Sequence, residues 1–177
     1  MSKKKIFIAV DTNKIPRAKE IIRNTQTKKI KIGYKFGLEF FYSKDGRKFL
    51  SSLKNQIIFL DLKLNDIPNT VRSAIKSLKN LKIAYLTIHL SSGLDALKAL
   101  KKESKNIKIV GVTTLTSLSN KDLKEIGYNK KVNDLVRHQA KLAKKANLDA
   151  IVCSGHEIRL VKRVFKKEII TPGIKIH

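Results

Sequence analysis

Two carboxylates and one ammonium follow a short apolar segment closely. Residues 57–60 are all apolar, and Asp61, Lys63 and Asp66 come directly after them. In a β-strand, residues two apart point to the same side, so Asp61 and Lys63 should share one side of this strand. A fixed ammonium beside carboxylates can stabilise a developing negative charge and can donate a proton. The segment therefore predicts a charged catalytic site at the end of a strand.

The same segment also fits an interpretation without chemistry. Alternation of charged and apolar residues is typical of an ordinary half-exposed strand. Asp66 could simply cap a helix, because Pro68 is suited to the first helical turn. The segment taken alone leaves both interpretations open.

The rest of the chain predicts a regular framework for these side chains. Apolar runs rich in β-branched residues are typical of strands that are buried on both faces of a parallel sheet. Such runs cover residues 6–10, 30–34, 57–63, 83–90, 107–113, 150–154 and 169–174. Helical patterns lie between most of them. We therefore predict an α/β fold in which strands and helices alternate.

The tips of nearly all the predicted strands carry polar residues, among them Asp11, Lys31 and Ser154. Polar groups at the carboxyl ends of many strands are typical of the active site of a (β/α)₈ barrel. No Gly-x-Gly-x-x-Gly follows the first strand, which removes the best sign of a dinucleotide fold. We predict a TIM-barrel type of fold with about seven strands, as one domain over residues 1–177. Because a barrel without its eighth strand has two unpaired edges, we expect that domain to be incomplete at its carboxyl end.

Composition limits the class of protein. The 177 residues carry 39 Lys and Arg against 14 Asp and Glu, for a net charge of +25. The basic residues are mostly Lys and are spread along the chain, so we expect a solvated surface rather than a specific nucleic-acid site. No apolar stretch approaches the ~20 residues of a membrane helix. The single cysteine, Cys153, excludes an intramolecular disulfide. A cytoplasmic location is the resulting expectation.

The motif Asp61-x-Lys63-x-x-Asp66-Ile67-Pro68-Asn69-Thr70 resembles the signature of the orotidine 5′-phosphate decarboxylases. The resemblance continues in order along the other predicted strands and extends from Ile6 to Ile174. Its further fragments are Ala9-Val10-Asp11, Lys31-Ile32-Gly33, Thr113 to Ser117, Val152-Cys153-Ser154 and Thr171-Pro172-Gly173-Ile174.

The resemblance implies a TIM barrel that removes CO2 from orotidine 5′-phosphate without a cofactor or metal, to give UMP in the last step of de novo pyrimidine synthesis. Lys63 would protonate C6 of the pyrimidine, and Asp61 would lie against the substrate carboxylate. Lys31 and Asp66 would complete an alternating array of charges. The working unit would be a homodimer, because in this family the residues matching Asp66 and Thr70 reach into the neighbouring subunit's site.

Further substrate contacts follow from the same resemblance. Asp11 and Lys31 would touch the ribose hydroxyls, and Thr116 with Ser117 would touch the edge of the pyrimidine. Pro172 belongs to the predicted substrate contacts on the seventh strand. Lys175 stands where the family usually has an arginine; it keeps the charge but lacks the bidentate fork that suits phosphate.

Two other functions compete with this one. Keto-gulonate phosphate decarboxylases and hexulose phosphate synthases share the Asp-x-Lys-x-x-Asp strand but use Mg²⁺. In those enzymes an acidic group on the second strand helps to hold the metal, whereas Lys31 would repel a cation here. A basic nucleic-acid-binding module is the third hypothesis. It predicts clustered basic residues with exposed aromatic rings, but the lysines are scattered and the chain has no Trp.

Overall fold

The computed structural model describes residues 5–173, in which seven strands alternate with helices. The strands are β1 (Lys5–Ala9), β2 (Lys31–Gly37), β3 (Ile57–Leu64), β4 (Ile83–His89), β5 (Lys108–Val112), β6 (Ala150–Val152) and β7 (Glu168–Ile170). The helices are α1 (Ile15–Asn24), α2 (Leu38–Tyr42), α3 (Gly46–Ser52), α4 (Pro68–Ser77), α5 (Leu94–Glu103), α6 (Asn120–Glu125), α7 (Val132–Lys145) and α8 (Ile158–Val164). Short 3₁₀ turns cover Leu90–Ser92 and Gly155–Glu157.

The seven strands form one sheet in sequential order, from β1 to β7. The pairs β1–β2, β2–β3, β5–β6 and β6–β7 are parallel. In the first pair Lys5 lies opposite Lys31, and Ala9 lies opposite Lys35. Sequential parallel strands place their carboxyl ends along one edge, where barrel enzymes carry their active sites.

The predicted strands agree with the structure except at their ends. Six runs differ from the observed strands by a few residues, but β2 begins at Lys31 and continues three residues beyond the predicted end at Tyr34. The added residues include Phe36, which is fully buried. The apolar pattern therefore extends through Lys35, which lies between the buried rings of Tyr34 and Phe36.

The described chain divides into two compact units by its internal packing. The first unit contains the chain up to Leu62 together with Lys76–Leu86. Its core includes the edge-on contacts of Phe7 with Phe59 and with Tyr85, each with ring centroids 5.0 Å apart. A Cβ on Gly33 would lie 2.7 Å from the Phe7 ring, so glycine is needed there for the ring to pack.

The second unit contains Lys63–Ile75 together with the chain from Thr87 onward. Asp149 joins two of its elements, because its carboxylate accepts hydrogen bonds from Lys101 Nζ at 2.6 and 2.8 Å and from the Ile109 amide at 2.8 Å. Leu90, Val110 and Leu148 are fully buried in its core. Across residues 5–173, no helix is long and apolar enough to cross a membrane.

Candidate active site

Three charged side chains meet in the first unit. Lys35 Nζ lies 3.5 Å from Asp61 Oδ2 and 3.7 Å from Asp11 Oδ1. The Asp61 side chain is only 12% exposed and that of Lys35 is 27% exposed, whereas Asp11 is 74% exposed. The distances are those of ion pairs rather than of tight hydrogen bonds. An ammonium between two carboxylates compensates charge that would otherwise be costly to bury.

The second strand contributes a different lysine from the predicted one. Lys31 is the first residue of β2 and lies opposite Lys5, so the prediction that it stands at the carboxyl end of its strand is wrong. Lys31 and Lys35 are on the same side of β2, since they are an even number of residues apart. The side chain of Lys35 is the one that the structure brings to Asp11 and Asp61.

Lys63 lies at the start of the second unit, two residues after Asp61 on β3. Its backbone adopts a left-handed conformation with a φ of 47°, which is uncommon for a residue other than glycine. The Lys63 amide donates a hydrogen bond of 2.7 Å to Oγ1 of the buried Thr87. Asn65 follows Lys63 by two residues, and its Oδ1 accepts a hydrogen bond of 2.9 Å from the Ser92 hydroxyl.

Asp66 and Thr70 lie in the turn after β3 and in the first turn of α4, and both are exposed. Asp66 Oδ1 accepts a hydrogen bond of 2.7 Å from the neighbouring Ile67 amide. The helix begins at Pro68, as predicted from the sequence. Because Pro68 is the first helical residue, the N-cap position belongs to Ile67, and Asp66 lies outside the helix.

Thr116 and Ser117 lie in the exposed connection between β5 and α6. A buried side chain holds the start of this connection. Gln139 Oε1 accepts hydrogen bonds from the Thr114 amide at 2.8 Å and from the Thr114 hydroxyl at 3.2 Å. Gln139 belongs to α7 and is only 6% exposed, so its amide group is fixed by packing. The sequence pattern gave no sign of this contact.

The last two strands carry the remaining predicted residues. Ser154 and Glu157 form a capping box, in which the Ser154 amide donates a hydrogen bond of 2.9 Å to Oε2 of Glu157. Pro172 follows β7 and is exposed. Lys175 lies outside the described residues.

Cys153 is a packed residue in this region. Its side chain is 1% exposed. Burial, followed by the negative charge of Glu157, raises the pKa of the Cys153 thiol to about 11. A thiol that stays protonated is a poor nucleophile and a poor metal ligand. Within residues 5–173, no group of three or more His, Cys, Asp or Glu side chains is placed to hold a metal ion.

The first unit therefore presents an ammonium between two carboxylates. Such fixed charges can orient a polar or anionic substrate without reorganising during the reaction. The second unit presents Lys63, a cation and potential proton donor, on a backbone with restrained geometry. The charged groups of the first unit and Lys63 of the second can stabilise negative charge and deliver a proton. This chemistry requires no redox group.

A sequence profile of the orotidine 5′-phosphate decarboxylase / HUMPS family matches residues 4–177. A protein of Carboxydothermus hydrogenoformans named orotidine 5′-phosphate decarboxylase is 37% identical over 183 residues, with 97% of this chain and 75% of that protein covered. A protein of the same name from the Wolbachia of Brugia malayi is 41% identical over 178 residues, with 97% and 77% covered. The chain thus spans about three quarters of the length of these two relatives.

Solved structures give the same result for the fold. The crystal structure of orotidine 5′-phosphate decarboxylase from Lactobacillus acidophilus superposes with a TM-score of 0.85 at 29% identity, covering 97% of this chain and 81% of that one. The Methanocaldococcus jannaschii enzyme complexed with the inhibitor BMP has a TM-score of 0.79 at 24% identity, covering 98% and 79%. The predicted α/β fold of TIM-barrel type, with seven strands in this chain, is confirmed.

Proposed function

Because this chain belongs to the orotidine 5′-phosphate decarboxylase / HUMPS family, we propose that it is a carboxy-lyase that converts orotidine 5′-phosphate to UMP and CO2. The observation that carries the proposal is the ion cluster of Lys35 with Asp11 and Asp61. Asp61 lies on β3, two residues before Lys63. Neighbouring carboxylates and ammonium groups suit a reaction that develops negative charge and ends with protonation.

In the proposed reaction, the bond between C6 and the substrate carboxylate breaks and CO2 leaves. The electron pair stays on C6, where the Lys63 ammonium stabilises it. Lys63 then transfers a proton to C6, which completes UMP, and the resulting neutral amine regains a proton from solvent. Asp61 is proposed to lie against the substrate carboxylate. Asp66 is proposed to complete the array of charges.

The other site residues are proposed to bind the substrate. Asp11 and Lys35 would contact the ribose hydroxyls, with Lys35 in the role that the sequence assigned to Lys31. Thr116 and Ser117 would contact the pyrimidine edge. Pro172 and Lys175 would lie near the phosphate. Contacts far from C6 supply binding energy that can be used at the reacting centre.

The proposed working unit is a homodimer in which Asp66 and Thr70 reach the neighbouring protomer's site. Both residues are exposed in this chain, so they are available to another subunit. We further propose that the enzyme acts in the cytoplasm, in the last step of de novo pyrimidine synthesis. The lone cysteine supports that location, because disulfides form and persist mainly in proteins of oxidising compartments.

A magnesium-dependent sugar-phosphate lyase of the same superfamily fits the cluster less well. The Lys35 ammonium lies within 3.7 Å of both Asp11 and Asp61. A divalent cation at these carboxylates would have to displace that ammonium or bear its repulsion. The charge on β2 thus favours the nucleotide substrate.

The direct test is decarboxylation of orotidine 5′-phosphate by the 177-residue chain, followed as loss of the ultraviolet absorbance of the orotate ring. We expect turnover that an excess of chelator leaves unchanged. Decarboxylation of keto-gulonate phosphate that needs added Mg²⁺, without turnover of orotidine 5′-phosphate, would favour the sugar-phosphate lyases. An absence of orotidine 5′-phosphate turnover, with or without chelator, would contradict the proposal.

The Lys63→Ala variant tests the proton donor. We expect its turnover to fall below a tenth of that of the parent, because proton transfer by a positioned side chain typically contributes about 10²–10⁴-fold. Lys105→Ala is the matched control, since Lys105 also has a left-handed backbone, with a φ of 45°, but follows α5. Lys105→Ala should keep parental turnover. Residual activity of Lys63→Ala within tenfold of the parent would exclude the proposed role.

A further inference from the structure

Lys63 has an unusual backbone for its place in the chain. In the described part of the protein, three residues other than glycine have a positive φ, namely Lys63, Lys105 and Asn147. Lys105 and Asn147 each stand one residue beyond the C-cap of a helix, α5 and α7 respectively. A left-handed residue is common at that position because it ends the helix. Lys63 lies within β3, so no helix end explains its conformation.

A buried hydroxyl accepts the hydrogen bond of this left-handed residue. The Lys63 amide donates to Oγ1 of Thr87 at 2.7 Å. Thr87 lies on β4 between the fully buried Leu86 and Ile88 and is itself 0% exposed. A β-branched residue has a restricted χ1 angle, so packing fixes the position of the accepting oxygen. Conformations of this kind persist only where the surroundings enforce them, and they cluster at functional sites.

The direction of the Lys63 side chain depends on this backbone. In a regular strand the side of each residue is set by alternation, but a left-handed residue departs from that pattern. The hydrogen bond between Asn65 and Ser92, at 2.9 Å, holds the chain immediately after Lys63. The two contacts therefore restrain the backbone on which the ammonium is carried.

We propose that Thr87 is a positioning residue for catalysis: its hydroxyl holds the left-handed backbone of Lys63 and thereby directs the ammonium at the reacting carbon. The inference rests on the proposed function, in which Lys63 is the proton donor. Thr87 acts through Lys63 and does not touch the substrate. A small misplacement of a catalytic group can lower the rate about 10²-fold.

The test compares three variants of the whole chain. Thr87→Val keeps the shape and removes the acceptor, whereas Thr87→Ser keeps the acceptor. Thr25→Val is the matched control, because the Thr25 hydroxyl donates to the Ile21 carbonyl at 2.7 Å outside the proposed site. Three quantities are measured: kcat and KM for decarboxylation, hydrogen exchange at the Lys63 amide, and the rate at which an amine-specific reagent modifies Lys63.

We expect Thr87→Val to lower kcat by about 10- to 100-fold with little change in KM, since the ammonium acts mainly in the transition state. Its Lys63 amide should exchange faster, and the rate of Lys63 modification should change. Thr87→Ser should restore all three quantities, and Thr25→Val should leave them at the parental values. A Thr87→Val enzyme with parental kcat, or with unchanged exchange at Lys63, would overturn the inference.

The test separates this inference from the proposed function. A parent chain that does not decarboxylate orotidine 5′-phosphate would contradict the proposed function alone. Exchange and modification at Lys63 would still decide whether Thr87 holds the lysine. If Thr87→Val and Thr25→Val gave the same exchange and the same modification rate at Lys63, the positioning role would be rejected.

Discussion

At the scale of single residues, burial separates Cys153 from the residues that could do chemistry. The thiol is 1% exposed and its pKa is raised to about 11, first by burial and then by Glu157. Asp11, Asp66, Thr116 and Ser117 are exposed, and Lys63 is half-buried. The proposed chemistry is therefore assigned to Lys63 and the ion cluster of Lys35, and Cys153 is assigned to packing.

The raised pKa of Cys153 predicts a loss of stability at alkaline pH. In the unfolded chain the thiol has a pKa near 9.0, against about 11 in the folded protein. As pH rises from 9 to 11, the unfolded state therefore loses its proton first, and the free energy of unfolding falls. We expect the parent to lose about 2 kcal/mol more than Cys153→Ala between pH 8 and pH 11. Urea unfolding at both pH values measures this difference, and equal losses would contradict the prediction.

At the scale of secondary-structure elements, the strand that carries Lys63 could be predicted from the sequence. The apolar run of residues 57–60 indicated a buried strand, and Pro68 indicated the helix that follows. Local patterns sufficed because both signals lie within a few residues of the site. The left-handed backbone of Lys63 could not be predicted in this way, because its restraint comes from Thr87 on another strand.

The second strand shows where a local pattern fails. The predicted run covered residues 30–34 and ended at Tyr34. The structure continues through Lys35, whose charge is compensated by Asp11 and Asp61. Those partners lie just after β1 and on β3, so the sequence of β2 alone could not distinguish Lys35 from Lys31. A lysine between two aromatic residues, Tyr34 and Phe36, was the available signal.

Lys35 and Lys31 give a matched pair of variants for this assignment. They lie on the same side of β2 but four residues apart, about 13 Å along the strand. We expect Lys35→Ala to lower kcat/KM by about 10²-fold or more, because it removes a fixed charge from the site. Lys31→Ala changes an exposed residue and should stay within about twofold of the parent. Steady-state kinetics, with circular dichroism to check folding, measures both. The reverse order of effects would restore the role of Lys31.

At the scale of the whole molecule, the net charge of +25 describes a surface rather than a site. Several of the few acidic residues make defined contacts. Asp61, Asp149 and Glu157 each hold a defined ion pair or backbone contact. An excess of lysines attracts anionic molecules of many kinds, including a phosphate-bearing substrate, and this attraction weakens as salt rises. Specificity must then come from the fixed groups of the site.

The proposed dimer makes a prediction that a monomeric enzyme cannot fulfil. If each site takes Lys63 from one protomer and Asp66 from its partner, then Lys63→Ala and Asp66→Ala should each be inactive alone. In a mixed dimer, both substitutions fall in one site, and the other site keeps both native residues. Because half of randomly mixed dimers are of this kind, we expect about a quarter of the parental activity after the subunits exchange.

The mixing experiment also carries its own control. Lys63→Ala mixed with Asp61→Asn should stay inactive, because the proposal takes both residues from the same protomer and every site then lacks one of them. Sedimentation of the mixtures reports whether dimers have formed. Recovery with Asp66→Ala but not with Asp61→Asn would support a shared site. No recovery in dimers that have exchanged subunits would assign Asp66 to the site of its own protomer.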